Sequence, residues 1–121
     1  MFKVPKSLTS IDILGMEIPI IIDDARLELL GAAGAFDGSI ILRSKYEDQE
    51  YFMKTLVHES FHASCFTVGL QLDHQVEEVL AVTSERLFIS ALQVLAGLAL
   101  EMEEEPVKKT RGRPKGSKNK K

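Results

Sequence analysis

Residues 57–63 read Val57-His58-Glu59-Ser60-Phe61-His62-Ala63, VHESFHA, and their setting decides how the second half of the chain folds. From Glu47 to Val68 there is no Gly or Pro; the acids Glu47, Asp48 and Glu50 open the run and Gly69 closes it. Acids favour the first turn of a helix, where unpaired N–H groups gather positive potential, and glycine favours the left-handed position just past the last turn. The stretch therefore predicts one long helix. On it His58 and His62, four residues apart, project from the same face, among apolar Leu56, Val57, Phe61 and Ala63.

That spacing has a chemical meaning. Two imidazoles one turn apart can both reach a single zinc ion at about 2.0 to 2.1 Å, the ordinary Zn–N distance. Glu59, next to the first histidine, is then placed to act as general base on a water molecule beside the ion rather than as a ligand. A catalytic zinc site also needs a third protein ligand and an open fourth position. The candidates downstream are Cys65, Asp73, His74, Glu77 and Glu78. Cys65 shares the face of His62, but a third ligand further along one helix sits poorly for tetrahedral geometry, and a lone cysteine there is ordinarily packing.

A second helical stretch is expected from near Asp73 to about Glu104, with a weak point at Gly97 and a stop at Pro106. Its apolar stripe runs through Val76, Leu80, Thr83, Leu87, Ala91 and Val94, the spacing of a core-facing surface. At 100° per residue Glu77 flanks that stripe, while Glu78 and Glu85 point nearly opposite. Glu77 is thus the expected third ligand and Glu78 the alternative. Tyr51 and His74 are the candidates for stabilising a developing oxyanion.

The first third of the chain reads as β-rich. Ile11–Ile13 and Met16–Ile22 flank Leu14-Gly15 as a tight hairpin, with Pro19 placing the second strand at an edge or a bulge. Asp24–Leu30 reads as a short helix capped by Asp23 or Asp24 and closed by Gly31. The segment GAAGAFDG turns the chain at Asp37-Gly38 into a third strand, Ser39–Leu42. The expectation is an α+β fold: a small three-stranded, mostly antiparallel sheet packed on the H-E-x-x-H helix and a second long helix.

Composition bounds the rest. A chain of 121 residues, 45% of them apolar, makes one modest domain with a single core. The uncharged run Leu87–Leu100 falls short of the roughly 20 residues that span a bilayer, so it reads as a buried helix or an oligomer face. MFKVPKSLTS has no apolar run ending at a small-residue cleavage site, so no secretory signal is expected. Cys65 is the single cysteine and fits a reducing compartment, the cytoplasm by default. The net charge of -3 divides unevenly. Residues 106–121 hold eight of the 15 Lys and Arg and no acid, giving +8; residues 1–105 hold seven bases against all 18 acids, giving -11. The tail alone seeks a polyanion, and its low hydrophobicity predicts disorder until it finds one.

Pro5-Lys6-Ser7, the hairpin around Gly15, GAFDGSIILR, TLVHESFHA and GLQLDHQVEEVLAVTSERL follow one another in an order that resembles the minimal zincin-like metallopeptidases of bacteriophages, relatives of the SprT-like and gluzincin groups. The resemblance spans roughly residues 5 to 95, and its specific part is H-E-x-x-H with the following Glu. It implies Zn²⁺ held by His58, His62 and a glutamate of the next helix, which falls on Glu77, with Glu59 catalytic. It also implies a host-cytoplasmic location if the chain is phage-encoded.

The C-terminal Arg111-Gly112-Arg113-Pro114-Lys115 resembles an AT-hook. The narrow minor groove of A·T tracts draws in arginine, Gly112 permits close backbone approach, and the outlying lysines meet phosphates. Two-domain use of the chain follows: residues 1–105 as the zincin-like body and 106–121 as a tail for the minor groove of A·T-rich double-stranded DNA. The expected function is a zinc peptidase tethered to such DNA, acting on DNA-associated proteins. The alternatives are a non-catalytic DNA-binding protein whose metal site is structural or vestigial, and an oligomer joined through Leu87–Leu100 that multiplies weak AT-hooks.

Overall fold

The structure, a computed structural model, describes the backbone of residues 1–109 and the side chains of residues 1–101. The AT-hook expected at Arg111–Lys115 lies outside the described residues. The fold is α+β. In chain order the elements are β1 (Phe2–Lys3), β2 (Ser10–Ile13), β3 (Met16–Ile22), α1 (Asp24–Leu30), β4 (Gly34–Phe36), β5 (Ile40–Leu42), β6 (Lys45–Tyr46), α2 (Gln49–Val68) and α3 (His74–Lys109). The described residues divide into two units, one from Met1 to Ile89 and a second that begins at Ser90.

In the first unit the hairpin forms as its sequence requires. Leu14 and Gly15 both take positive φ, 52° and 91°, as a two-residue turn matched to strand twist demands. Asp12 Oδ1 accepts from the Gly15 N–H at 2.9 Å, and Ile11 pairs with Ile18 across the strands. The sheet differs from the expectation in two respects. It has four strands, in the order β2-β3-β5-β4, and β3 runs parallel to β5. The added strand is β4, taken out of the glycine-rich stretch that reads as a turn, and it pairs antiparallel with β5 through Phe36 and Ile40. Helix α1 between β3 and β4 is the crossover that makes a parallel pairing possible. A separate two-stranded pair, β1 with β6, lies outside the sheet.

Pro19 lies in a strand that has neighbours on both sides, not at an edge. The register shows how the missing N–H is tolerated. Residues 16–19 of β3 pair with β2, whereas the parallel pairing to β5 begins only at Ile20. Proline sits where one partner hands over to the other, so no ladder bond is lost.

Strand β5 is buried along its whole length: Ile40, Ile41 and Leu42 are each at most 1% exposed. Alternate side chains leave a strand on opposite faces, so a strand hidden at every position must be covered twice. Helix α1, with buried Leu27, packs on it, and so does α2. Ile18, Ile20, Ile40, Leu42, Tyr46, Phe52 and Ala63 form one cluster, which fixes α2 against the sheet.

Helices α1 and α2 end at the glycines expected to close them, α1 begins at one of its two expected caps, and α2 begins at Gln49, two residues later than expected. Asp23 accepts from the Arg26 N–H and Asp48 from the Tyr51 N–H, while Gly31 and Gly69 end the helices in the left-handed conformation. α3 runs further than its sequence suggests, past Glu104 and through Pro106 to Lys109. Its first turns also face the other way. The predicted stripe is solvent-facing, with Val76 48%, Leu80 41% and Leu87 67% exposed, whereas Ala81 and Ile89 are buried.

By length and composition His74–Glu101 is apolar enough to cross a membrane, with only 11% of its most apolar window buried. Its uncharged part, Leu87–Leu100, rises only about 21 Å as a helix, short of the roughly 30 Å hydrocarbon core. The described side chains of the second unit belong to this helix, where Val94, Leu95, Leu98 and Leu100 are exposed.

Candidate metal centre

Helix α2 is held on the sheet by Phe52, Ala63 and their neighbours, and this orientation carries His58 and His62 towards α3. Their rings lie 5.0 Å apart, centroid to centroid. The Nε2 atoms of the two rings meet the two oxygens of one carboxylate, Glu78: His58 Nε2 to Oε2 at 3.0 Å and His62 Nε2 to Oε1 at 3.0 Å. The ligating atoms of His58, His62 and Glu78 lie within 4.8 Å of one another, close enough for these three residues to hold a metal ion.

The other nitrogen of each ring is also engaged. Nδ1 of His58 contacts Glu85 at 3.1 Å, and Nδ1 of His62 contacts Glu77. Each histidine is thus gripped at both ring nitrogens by carboxylates of α3. Around two imidazoles stand Glu59, Glu77, Glu78 and Glu85, an excess of negative charge that a divalent cation would balance.

The expected third ligand, Glu77, is therefore not the residue that converges with the histidines. Glu78 occupies that position, and Glu77 backs His62 from behind. The reason lies in the rotation of α3. Its inward face runs through Glu77, Glu78, Ala81, Glu85 and Ile89, so the carboxylates take the place that an apolar stripe is expected to fill. Desolvating them is offset by the histidines they meet. Apolar periodicity puts Glu85 on the far side; the signal that could have found it is its spacing of seven residues from Glu78, which sets both acids on one face.

Glu59 is 6% exposed and makes no hydrogen bond among the described residues. Burial raises its carboxyl pKa above the ordinary range, against the opposing pull of His58 and His62. β4 passes directly over this part of α2. A Cβ at Gly34 would lie 2.7 Å from Thr55 Cγ2 and 3.2 Å from Glu59 Cγ, so only glycine permits the strand to come so near.

Two cavities open on the centre. The larger, about 530 Å³, is lined by Tyr51, Lys54, Asp48, Glu50 and Glu85 among others, and the smaller, about 360 Å³, by Phe36, His62, His74 and Glu77. Both are also lined by Gly34, His58, Glu59 and Glu78. The two oxyanion candidates thus fall on different sides, Tyr51 in the larger cavity and His74 in the smaller. Of the other ligand candidates, Asp73 starts α3, its Oδ2 accepting from the Gln75 N–H at 3.1 Å. Cys65 is buried, and burial pushes its thiol pKa up.

Compared with known proteins, the chain matches no family model, no curated protein and no solved structure.

Proposed function

We propose that the chain is a zinc-dependent peptidase of minimal zincin type, held near A·T-rich DNA by its C-terminal tail and acting on proteins bound there. The observation that carries this reading is the convergence of the His58 and His62 Nε2 atoms on Glu78, with the largely buried Glu59 side chain beside them. Two imidazole nitrogens and one carboxylate oxygen form a donor set suited to zinc, with a coordination position left for a small molecule. When bound by His58, His62 and Glu78, the ion would supply Lewis-acid polarisation of a peptide carbonyl and acidification of a water molecule.

The chain's own residues supply the rest. Glu85 and Glu77, on the outer nitrogens, fix the two rings in the tautomer that leaves Nε2 free to ligate. Glu59 takes a proton from water onto its carboxylate and returns it to the departing amine. The α+β architecture, with a small sheet packed on the H-E-x-x-H helix, agrees with the resemblance to the zincin-like phage proteins.

The Arg111-Gly112-Arg113-Pro114 core and its flanking lysines support the DNA half of the proposal. Tethering would raise the local concentration of the enzyme around DNA-bound proteins, the effect that linkage produces in general. Cleavage of a DNA-binding protein by the wild type and by Glu59→Gln tests the catalytic half, alongside the metal content of the wild type and of His58→Ala. Wild-type cleavage and zinc binding are expected, each lost in its variant. Equal cleavage by wild type and Glu59→Gln removes Glu59 as the base.

A further inference from the structure

The two cavities beside the metal cluster share Gly34, His58, Glu59 and Glu78 and diverge from them. The cluster therefore sits at the junction of a two-lobed groove, not at the end of a pocket. Lining residues thus lie on both sides of the cluster, Tyr51 and Glu50 on one and Phe36 and His74 on the other. The lobes differ in chemistry. The larger has Asp48 and Glu50 against the single cation Lys54, an excess of one negative charge before the carboxylates of the cluster, Glu85 among them, are counted. It also presents the ring of Tyr51, which is 45% exposed. The smaller is lined by Phe36, His74 and Glu77. At the junction the Glu59 side chain, buried and without a hydrogen-bond donor among the described residues, faces both lobes.

We infer that the groove takes an extended polypeptide across both lobes, cuts an internal peptide bond, and seats a lysine or arginine side chain of the substrate in the larger lobe. This rests on the peptidase reading above and adds the class of substrate. An enzyme that trims chain ends needs a wall to stop the chain and a charged group to hold its terminus; a junction between two cavities offers room on either side. A long cationic side chain suits the larger lobe because its apolar stem can lie on the Tyr51 ring while its head meets the carboxylates. Glu50 is the acid best placed to act on specificity without serving the metal. It is half-exposed and is paired with Lys54 at 3.3 Å, one turn along the helix.

The test uses the full chain loaded with zinc, its metal content measured first, and ten-residue peptides acetylated and amidated at their ends. The peptides differ at one position, which is Lys, Ala or Glu, and the products are mapped by mass spectrometry. Internal cleavage is expected, with the Lys peptide cut about tenfold or more faster than the Glu peptide, the rate effect of one favourable charged contact. Glu50→Lys should bring the two rates together, and Lys54→Gln should widen the gap. Equal rates for Lys and Glu peptides, or removal of residues only from unblocked ends, would overturn the inference. Should zinc-loaded protein cut nothing, the peptidase reading fails by itself. Binding then decides the groove: zinc-loaded Glu59→Gln must hold the fluorescent Lys peptide more tightly than the Glu peptide, and equal affinity refutes the assignment.

Discussion

Glu85 contacts Nδ1 of His58 at 3.1 Å, although 27 residues separate the two in the chain. The contact joins α3 to α2 at the outer side of the ring, opposite the nitrogen that faces Glu78. Glu77 makes the same kind of contact with His62. Carboxylates on the outer nitrogens do not ligate, but they set which nitrogen carries the proton and how the ring is turned. The three acids of α3 that meet the histidines thus divide into one residue placed to ligate and two placed to orient.

That division predicts unequal losses. Glu85→Gln and Glu77→Gln should each weaken zinc binding by about 10- to 100-fold, the usual effect of removing a group behind a histidine ligand. Glu78→Gln removes a ligating oxygen and should cost more than either. Competition with a chelating dye gives the three affinities. Were Glu77→Gln the most damaging, Glu77 would be the ligand after all and α3 would have to be rotated.

Gly34 is expected to be intolerant of the smallest change. An alanine Cβ would meet Thr55 Cγ2 at 2.7 Å, with Glu59 Cγ at 3.2 Å and the Ile41 carbonyl at 3.3 Å behind it. Gly34→Ala should destabilise by about 1 to 3 kcal/mol, the usual cost of overpacking. Thr55→Ser deletes the nearest methyl and keeps the hydroxyl that donates to the Tyr51 carbonyl, so the double variant should recover part of the stability. Urea denaturation of the four proteins checks this. Purely additive effects would mean that Thr55 is not the obstacle.

The parts of this molecule readable from its sequence are those fixed by local chemistry. The caps of α2, Asp48 and Gly69, and the hairpin turn at Leu14-Gly15 follow from single residues acting on their neighbours. His58, Glu59 and His62 are legible because one helical turn brings them together whatever else the chain does. β4 is not legible because Gly34–Phe36 is too short to show an alternating pattern, and its glycine serves an approach to α2 that only the tertiary fold reveals. The inward face of α3 is hidden for another reason. Apolar periodicity assumes that the buried face is the greasy one, whereas here histidines on α2 compensate carboxylates on α3, and Val76, Leu80 and Leu87 are left facing solvent.

Acid stability should depend on Asp24. Its carboxylate accepts from the Ser44 hydroxyl at 2.6 Å and from the Ser44 N–H at 2.8 Å, tying the start of α1 to the loop after β5. The Ser44 hydroxyl, followed by the Ser44 N–H, holds its pKa below the ordinary aspartate range. A carboxyl with a lowered folded-state pKa stabilises above its unfolded pKa, and that contribution is lost as pH falls through the folded value. The window therefore lies at and below about pH 4. Thermal unfolding followed from pH 6 to 2.5 should fall less steeply for Asp24→Asn than for the wild type, with the two curves approaching each other at the acid end. Parallel curves would show that the Ser44 hydrogen bonds contribute nothing in solution.

The proposed DNA tether could work in two ways, which variants of the tail distinguish. Deleting residues 106–121 should abolish any preference for A·T-rich over G·C-rich duplexes, since the remaining body carries -11. Within the tail the roles should differ. Arg111→Ala with Arg113→Ala is expected to remove the preference, because in the proposed AT-hook these side chains are the ones that enter the minor groove. Replacing Lys118, Lys120 and Lys121 should instead weaken binding to both duplexes alike and make the logarithmic salt dependence shallower, by up to about 0.9 for each phosphate left without its lysine. Fluorescence anisotropy on two duplexes at several salt concentrations measures both quantities. If the lysine variants lose the A·T preference and the arginine variants keep it, the tail is a polycation and its RGRP core reads nothing.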